Sequence, residues 1–181
     1  DGAWFRSGLA PRRGMRDLAH SVAIALAFCQ LIRGPGEAWL LDVAQRIHEA
    51  TDNWSDTVPN WWHGVNLCQG FREPGDYWQQ SKERRHLEAP ERNWRAIYRE
   101  FGQQPGGMFG ADENCRPGKT DPCQAAESCS MVEMMYSCQS LLKVAGDPVW
   151  ADRCEDVAFN SLPASMTPDL KSLHYLPAPN L

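Results

Sequence analysis

Residues 68–78 read CQGFREPGDYW, and this order of cysteine, glutamine, glycine and tryptophan occurs twice more in the chain. The other copies are CQLIRGPGEAW at 29–39 and CQSLLKVAGDPVW at 138–150, with Cys-to-Trp separations of ten, ten and twelve residues. Each copy is interpreted as the end of one helix, a glycine turn, and a tryptophan in the first turn of the next helix. The repeat predicts stacked or toroidal α-hairpins. The alternative is coincidence in a chain rich in cysteine and tryptophan.

The remaining pattern is also helical, with no convincing alternation of period two. It predicts helices at about 13–32, 37–52, 60–72, 74–83, 88–101, 124–145 and 147–162. Prolines exclude a continuous helix over 167–181 (TPDLKSLHYLPAPNL), so we expect an extended segment there. We predict a single, partial all-α domain over residues 1–181, in which the hairpins are too few to close a toroid.

Composition limits the classes of function. The net charge of −5 and the pI near 5.5 argue against nucleic-acid and anionic-membrane surfaces, which need a basic patch. The longest apolar stretch, Ser21–Ile32, is too short to span a bilayer. We therefore expect neither nucleic acid nor membrane as a partner. No secretory signal is recognisable at the N-terminus, and secreted, periplasmic and cytoplasmic locations all stay open.

The chemistry-bearing residues concentrate between 105 and 138 (PGGMFGADENCRPGKTDPCQAAESCSMVEMMYSC). Glu113 lies in a loop sequence and is a candidate general acid; Asp112 beside it could raise the pKa of Glu113 or be the acid itself. Glu127 and Cys129 begin a helical pattern and are candidate ligands for a borderline-soft metal such as zinc. The alternatives are a solvated turn carboxylate at Glu113, and a helix-start carboxylate beside a buried thiol at Glu127 and Cys129.

Two further positions are candidates for sugar binding. His63 follows two tryptophans at a predicted helix start, and Tyr175 follows a histidine in the extended segment. Each could instead be an ordinary core or cap residue. The seven cysteines match no zinc-finger spacing. Cys115 and Cys123 are the cysteines that could supplement Glu127 and Cys129, whereas the others lie in apolar helical patterns typical of buried thiols.

Four segments together resemble the zinc-dependent β-L-arabinofuranosidases of glycoside hydrolase family 127. They are WHGVNLCQGFREPGDYWQQS at 62–81, GGMFGADENCRPG at 106–118, AAESCSMVEMM at 125–135 and GDPVWADRCEDVAFNSLPASMTPDLKSLHY at 146–175. The Glu-x-Cys element and the helix start GDPVWAD at 146–152 are the most specific of these. The resemblance implies an (α/α)6 barrel, of which the hairpins would form an incomplete part with an extended C-terminal segment.

The resemblance also implies roles for individual residues. Glu113 falls on the general acid/base, Glu127 and Cys129 on two ligands of Zn2+, His63 on a sugar-contacting histidine, and Tyr175 on a tyrosine of the same pocket. The family mechanism is retaining, with a zinc-bound cysteine as nucleophile. Glu113 would protonate the leaving oxygen and later activate water.

The sequence departs from the family at the nucleophile. The family keeps it in a Cys-Cys element well downstream of the tyrosine, and this chain contains no adjacent cysteines. We therefore expect a fragment of a glycosidase acting on β-L-arabinofuranosides or related glycans, with weak or no activity alone and association through the open barrel edge. The alternatives are a non-catalytic helical-repeat scaffold and a carbohydrate-binding remnant of the fold.

Overall fold

The structure, a computed structural model, describes residues 38–58, 63–102, 107–111, 114–116, 118, 121 and 123–178. Among these residues the helices are α1 (Trp39–Ala50), α2 (Gly64–Gly70), α3 (Glu73–Ser81), α4 (Arg84–Phe101), α5 (Ser128–Ala145), α6 (Val149–Asp156) and α7 (Leu162–Ala164), with a π-helical turn, Val157–Ser161, between α6 and α7. None of the described helices has the length and apolar character needed to cross a membrane. The helix predicted at 13–32 lies outside the described residues.

Helix α5 is the centre of the packing, in contact with α2, α3, α6 and the π-helical turn. Its buried apolar side chains, Met131, Met134, Cys138 and Leu141, recur at the spacing of one helical face. Burying each large side chain of this kind stabilises the fold by about 1.5–3 kcal/mol. The start of α5 is therefore held by the core of the domain.

The hairpin repeat is confirmed in one copy and wrong in a detail of another. Gly146 ends α5 in the left-handed conformation (φ +68°), and its N–H donates to the carbonyl of Leu142 at 2.9 Å. Gly75, in contrast, lies inside the first turn of α3. A Cβ there would overlap the side chain of Leu141, so this glycine allows α3 to approach α5 closely. Most of the copy at 29–39 lies outside the described residues.

Three helix starts differ from the sequence prediction by four residues each. Helix α2 begins at Gly64 and not at 60, because His63 is extended (φ −119°, ψ 123°). Helix α4 begins at Arg84 and not at 88, because Lys82 in the left-handed conformation and the extended Glu83 separate it from α3. Pro90 lies inside this helix. Helix α5 begins at Ser128, four residues later than predicted, because Glu127 is extended (φ −66°, ψ 134°). Glu127 therefore precedes the helix, and the helical backbone does not set the direction of its side chain.

The segment after α7 returns to the start of α5. Met166 and Leu173 form an isolated antiparallel bridge. Beyond it, the N–H of Ser128 donates to the carbonyl of Tyr175 at 2.9 Å, and the N–H of Ala126 donates to the carbonyl of Pro177 at 3.0 Å. The segment thereby satisfies a backbone donor that the first turn of α5 leaves unpaired. The assignment of residues 1–181 to a single domain stays a prediction.

Candidate functional site

Glu127 lies buried at the start of α5. Its side chain is 2 % exposed and makes no capping hydrogen bond to the helix. Its Oε1 accepts a hydrogen bond from the hydroxyl of Tyr175. Its Oε2 accepts no hydrogen bond from any residue that the structure describes. A buried carboxylate oxygen without a donor is costly, so Oε2 is available to a ligand.

Tyr175 links the two residues that the sequence predicts as metal ligands. Besides donating to Glu127, its hydroxyl accepts a weak hydrogen bond from the thiol of Cys129, with 3.8 Å between sulfur and oxygen. The hydrogen bond to the Glu127 carboxylate raises the pKa of Tyr175, so the phenol stays protonated at neutral pH. Cys129 is exposed in the first turn of α5.

His63 completes the cluster from the start of α2. It precedes the helix in an extended conformation (φ −119°, ψ 123°), and its Nδ1 lies 3.9 Å from Oε2 of Glu127. The imidazole is partly exposed, with 29 % of the side chain accessible. The fold thus brings His63, Glu127, Cys129 and Tyr175 together from three separate segments of the sequence.

Glu113 and its neighbour Asp112 lie outside the described residues. The backbone on either side of the predicted loop is described. The N–H of Ala111 donates to the carbonyl of Ala125 at 3.1 Å, and the N–H of Gly110 donates to the carbonyl of Phe101 at 2.9 Å. The backbone before residue 112 is therefore hydrogen-bonded to the backbone before Glu127.

The other described cysteines divide by exposure. Cys123 is exposed like Cys129 and Cys154 is partly buried, whereas Cys68, Cys115 and Cys138 are buried in the apolar core. Burial raises the pKa of the Cys115 and Cys138 thiols to about 12, so these side chains pack as small apolar groups. Cys115 is therefore a core residue and a poor candidate for supplementing the predicted ligands.

The donor set at the start of α5 fits two positions of a zinc site. A buried carboxylate oxygen without a donor and an exposed thiol are both ligands that zinc accepts. Within the described part of the chain, no three histidine, cysteine, aspartate or glutamate side chains lie close enough to hold a metal ion. Glu127 and Cys129 would thus supply two ligands if a metal bound here, and a closed tetrahedral site would need two more.

Comparison with known families identifies the architecture around this cluster. The sequence profile of the β-L-arabinofuranosidase GH127 catalytic domain matches residues 3–180. The chain belongs to this family. Its four clustered residues and Glu113 all lie within the matched range. No curated protein sequence matches the GH127 chain at a significant level.

Solved structures agree on the fold. A glycoside hydrolase superposes with a TM-score of 0.67 at 14 % identity, over 93 % of this GH127 chain and 32 % of its own. A sugar epimerase from a ruminal bacterium gives 0.62 at 14 % identity, over 92 % and 47 %. The GH76 α-mannanase of Bacteroides thetaiotaomicron gives 0.56 at 10 % identity, over 88 % and 46 %.

These likenesses show the fold, and the predicted fold class is confirmed: the helical hairpins form part of an (α/α) barrel. The chain spans about a third of the length of the glycoside hydrolase that it resembles. The helix start that carries Glu127 and Cys129 is one element of this helical fold.

Proposed function

We propose that this chain is part of the catalytic domain of a retaining glycoside hydrolase that acts on β-L-arabinofuranosides or related glycans. Glu127 and Cys129 would be two of its zinc ligands, and Glu113 its general acid/base. His63 and Tyr175 would contact the sugar. Membership of the GH127 family supports the reaction class.

One observation carries the proposal. Residues 63, 127, 129 and 175 are distant in sequence, yet their side chains meet around one buried carboxylate. Most buried carboxylate oxygens accept a hydrogen bond, whereas Oε2 of Glu127 accepts none from a described residue. The arrangement is that of a ligand-binding cluster.

The side chains of the cluster have distinct tasks in this proposal. Tyr175 orients Glu127 by donating to Oε1, which leaves Oε2 for the metal. A bound zinc ion would supply positive charge that favours the thiolate form of its cysteine ligands. The imidazole of His63, beside Oε2 and partly exposed, can donate to or accept from a sugar hydroxyl.

The proton transfers are assigned to Glu113. In a retaining mechanism one carboxylic acid protonates the leaving glycosidic oxygen and then, as carboxylate, takes a proton from the attacking water. Among the described residues, the pairing of Ala111 with Ala125 holds the chain at 107–111 beside the segment that precedes Glu127. The nucleophile of the family is a cysteine of a Cys-Cys element, and no such pair occurs in this sequence.

Zinc protection of individual thiols tests the metal assignment. The chain, stripped of metal, is pulsed with iodoacetamide with and without zinc, and each cysteine is followed by mass spectrometry. We expect zinc to slow alkylation of Cys129 by about tenfold or more, because coordination withdraws the sulfur lone pair from attack. Cys123 is also exposed and serves as the internal control, with no change expected.

The variant Glu127→Gln separates coordination from burial in the same assay. It keeps the shape of the side chain and removes the anionic oxygen, so the protection of Cys129 should disappear. Equal protection of Cys123 and Cys129, or protection that survives in Glu127→Gln, would refute the assignment of these ligands.

Hydrolysis of an aryl β-L-arabinofuranoside tests the reaction. Because the sequence lacks an adjacent pair of cysteines, we expect weak or no release of the aryl alcohol by this chain alone. Robust turnover would show that the Cys-Cys element is dispensable, and the proposed source of the nucleophile would then be wrong.

A further inference from the structure

A cavity lies between α1, the segment that follows it and the junction of α3 and α4. Its volume is about 400 Å³, within the range of roughly 300–1,000 Å³ typical of small-molecule sites. Its lining includes none of the four clustered residues at the start of α5. The cavity is therefore a separate feature of the molecule.

Two buried polar groups in the lining of this cavity have no hydrogen-bond partner among the described residues. They are Nε2 of His86, whose side chain is 1 % exposed, and Oγ of Ser55, which is 4 % exposed. Native proteins rarely leave such groups unsatisfied. Both atoms are consistent with a site that is completed by a ligand.

Both side chains are held in place by their neighbours. Nδ1 of His86 shares a hydrogen bond of 2.7 Å with Oγ of Ser81, and the ring packs edge-on against Tyr77. The carbonyl of Ser55 accepts a hydrogen bond of 2.7 Å from the Arg92 guanidinium. Burial lowers the pKa of His86, so its ring is neutral at pH 7, and the tautomer protonated on Nδ1 presents Nε2 as an acceptor.

The charge around the cavity is acidic. Its lining contains the carboxylates of Glu49, Asp52, Asp56 and Glu83. Glu83 forms a 2.7 Å ion pair with Arg85, and one oxygen each of Glu49 and Asp56 accepts a hydrogen bond from a neighbouring side-chain amide, at 2.8 and 2.9 Å. A lone metal ion does not fit, because no three acidic, histidine or cysteine side chains of the described chain are close enough to share one. Carboxylates at several positions around a cavity are better matched by a cation that carries its positive charges at several positions than by a single ion.

We propose that this cavity binds a small organic cation that carries ammonium groups along a flexible chain, such as a linear polyamine. Ammonium groups would donate to the carboxylates of Glu49 and Asp56 at the exposed side. An N–H group deeper in the cavity would donate to Oγ of Ser55 and Nε2 of His86. The flexible chain allows one molecule to reach both sets of acceptors.

Calorimetric titration of the full chain with spermidine at low salt tests this proposal. We expect saturable binding that weakens as sodium chloride is raised, because exposed charge pairs are screened. Ser55→Ala should reduce the affinity about three- to tenfold, since it removes one hydrogen bond to a charged group. Its thermal midpoint should be unchanged, because the hydroxyl has no partner among the described residues.

Charge variants separate the site from general attraction to an acidic protein. Glu49→Gln and Asp56→Asn each remove one carboxylate of the lining, whereas Glu155→Gln removes one exposed carboxylate of α6 outside it. The first two should weaken spermidine binding and the third should not. The proposal is overturned if spermidine does not bind, if all three variants behave alike, or if calcium ion or L-arabinose binds more tightly than spermidine.

Discussion

Two polar clusters lie along the same helix, α5, and they differ in how completely their groups are paired. The cluster near its middle joins Ser137 and Ser140 to the buried Arg72 and Asp76. The cluster at its start joins Glu127 and Cys129 to His63 and Tyr175. Both contain buried charge, so burial alone does not distinguish a structural cluster from a functional one.

The difference lies in the unused hydrogen-bonding capacity. In the middle cluster, Arg72 donates to Oγ of Ser137 at 2.6 Å and to Asp76 at 3.3 Å, and the other oxygen of Asp76 accepts from Ser140 at 3.1 Å. At the start of α5, Oε2 of Glu127 accepts nothing from the described residues. The middle cluster stabilises the packing of α2, α3 and α5, and the other is available for a ligand.

Removing Arg72 should have the largest effect on stability. Arg72→Met leaves Asp76 buried beside a single hydroxyl donor, and breaking a buried ion pair in this way costs about 3–5 kcal/mol. Urea denaturation measures the loss. Arg84→Met is the control, because Arg84 is 88 % exposed and its ion pair with Glu88 contributes at most about 1 kcal/mol. Equal effects of the two variants would contradict a structural role for the middle cluster.

The loss of stability caused by Arg72→Met should become smaller as the pH falls. Burial raises the pKa of Asp76, and the Arg72 guanidinium opposes that rise, so the pKa of Asp76 is higher still in the variant. Between the ordinary pKa of an aspartate and this raised value, the folded variant binds more protons than the unfolded chain. Its stability then increases on acidification, by at most about 1.4 kcal/mol per pH unit. Denaturation at pH 5 and pH 8 checks the sign, and a defect of constant size would exclude Asp76 as its source.

The hydroxyl of Tyr175 should contribute less. Tyr175→Phe removes the donor to Oε1 of Glu127, and we expect a loss of about 1 kcal/mol, because Tyr175 is 46 % exposed and water can replace part of the bond. The matched control is Tyr136→Phe, since Tyr136 is 48 % exposed and its ring contact with Arg72 does not use the hydroxyl. A loss in the control as large as that in Tyr175→Phe would mean that the hydroxyl does not position Glu127.

The sequence predicted much of the cluster at the start of α5 and none of the middle cluster. Glu127 and Cys129 share a local motif, and His63 and Tyr175 were candidate sugar-binding residues from their sequence context, a role that the family resemblance also implies. Arg72 and Ser137 are 65 residues apart, and no local pattern indicates that they pair. The Gly75 turn was predicted wrongly for a related reason, since the close approach to Leu141 that requires a glycine is a tertiary contact.

Some of the backbone also depends on contacts distant in sequence. Helical periodicity placed α5 correctly but began it four residues early, because the extended conformation of Glu127 accompanies the pairing of Ser128 with Tyr175. That pairing brings the Tyr175 hydroxyl to Glu127. The cavity of the proposed second site is likewise formed by segments that no motif connects.

The smallest effect on stability is expected for Glu127→Gln, and the same carboxylate-to-amide change at Asp76 gives the sharpest contrast with it. In Asp76→Asn the buried Arg72 loses its closest charged partner, so the free energy of unfolding should fall by about 2–3 kcal/mol. In Glu127→Gln the hydroxyl of Tyr175 can still donate to the amide oxygen. A neutral side chain also reduces the cost of burying a carboxylate whose second oxygen has no described donor, so the change should stay within about 1 kcal/mol of zero.

Urea denaturation of the two variants side by side measures both. If Glu127→Gln destabilises the fold as much as Asp76→Asn does, the carboxylate of Glu127 is hydrogen-bonded as fully as that of Asp76. The proposal of a ligand site at the start of α5 would then be wrong. If it does not, loss of zinc protection at Cys129 in that variant reports ligand chemistry separately from folding.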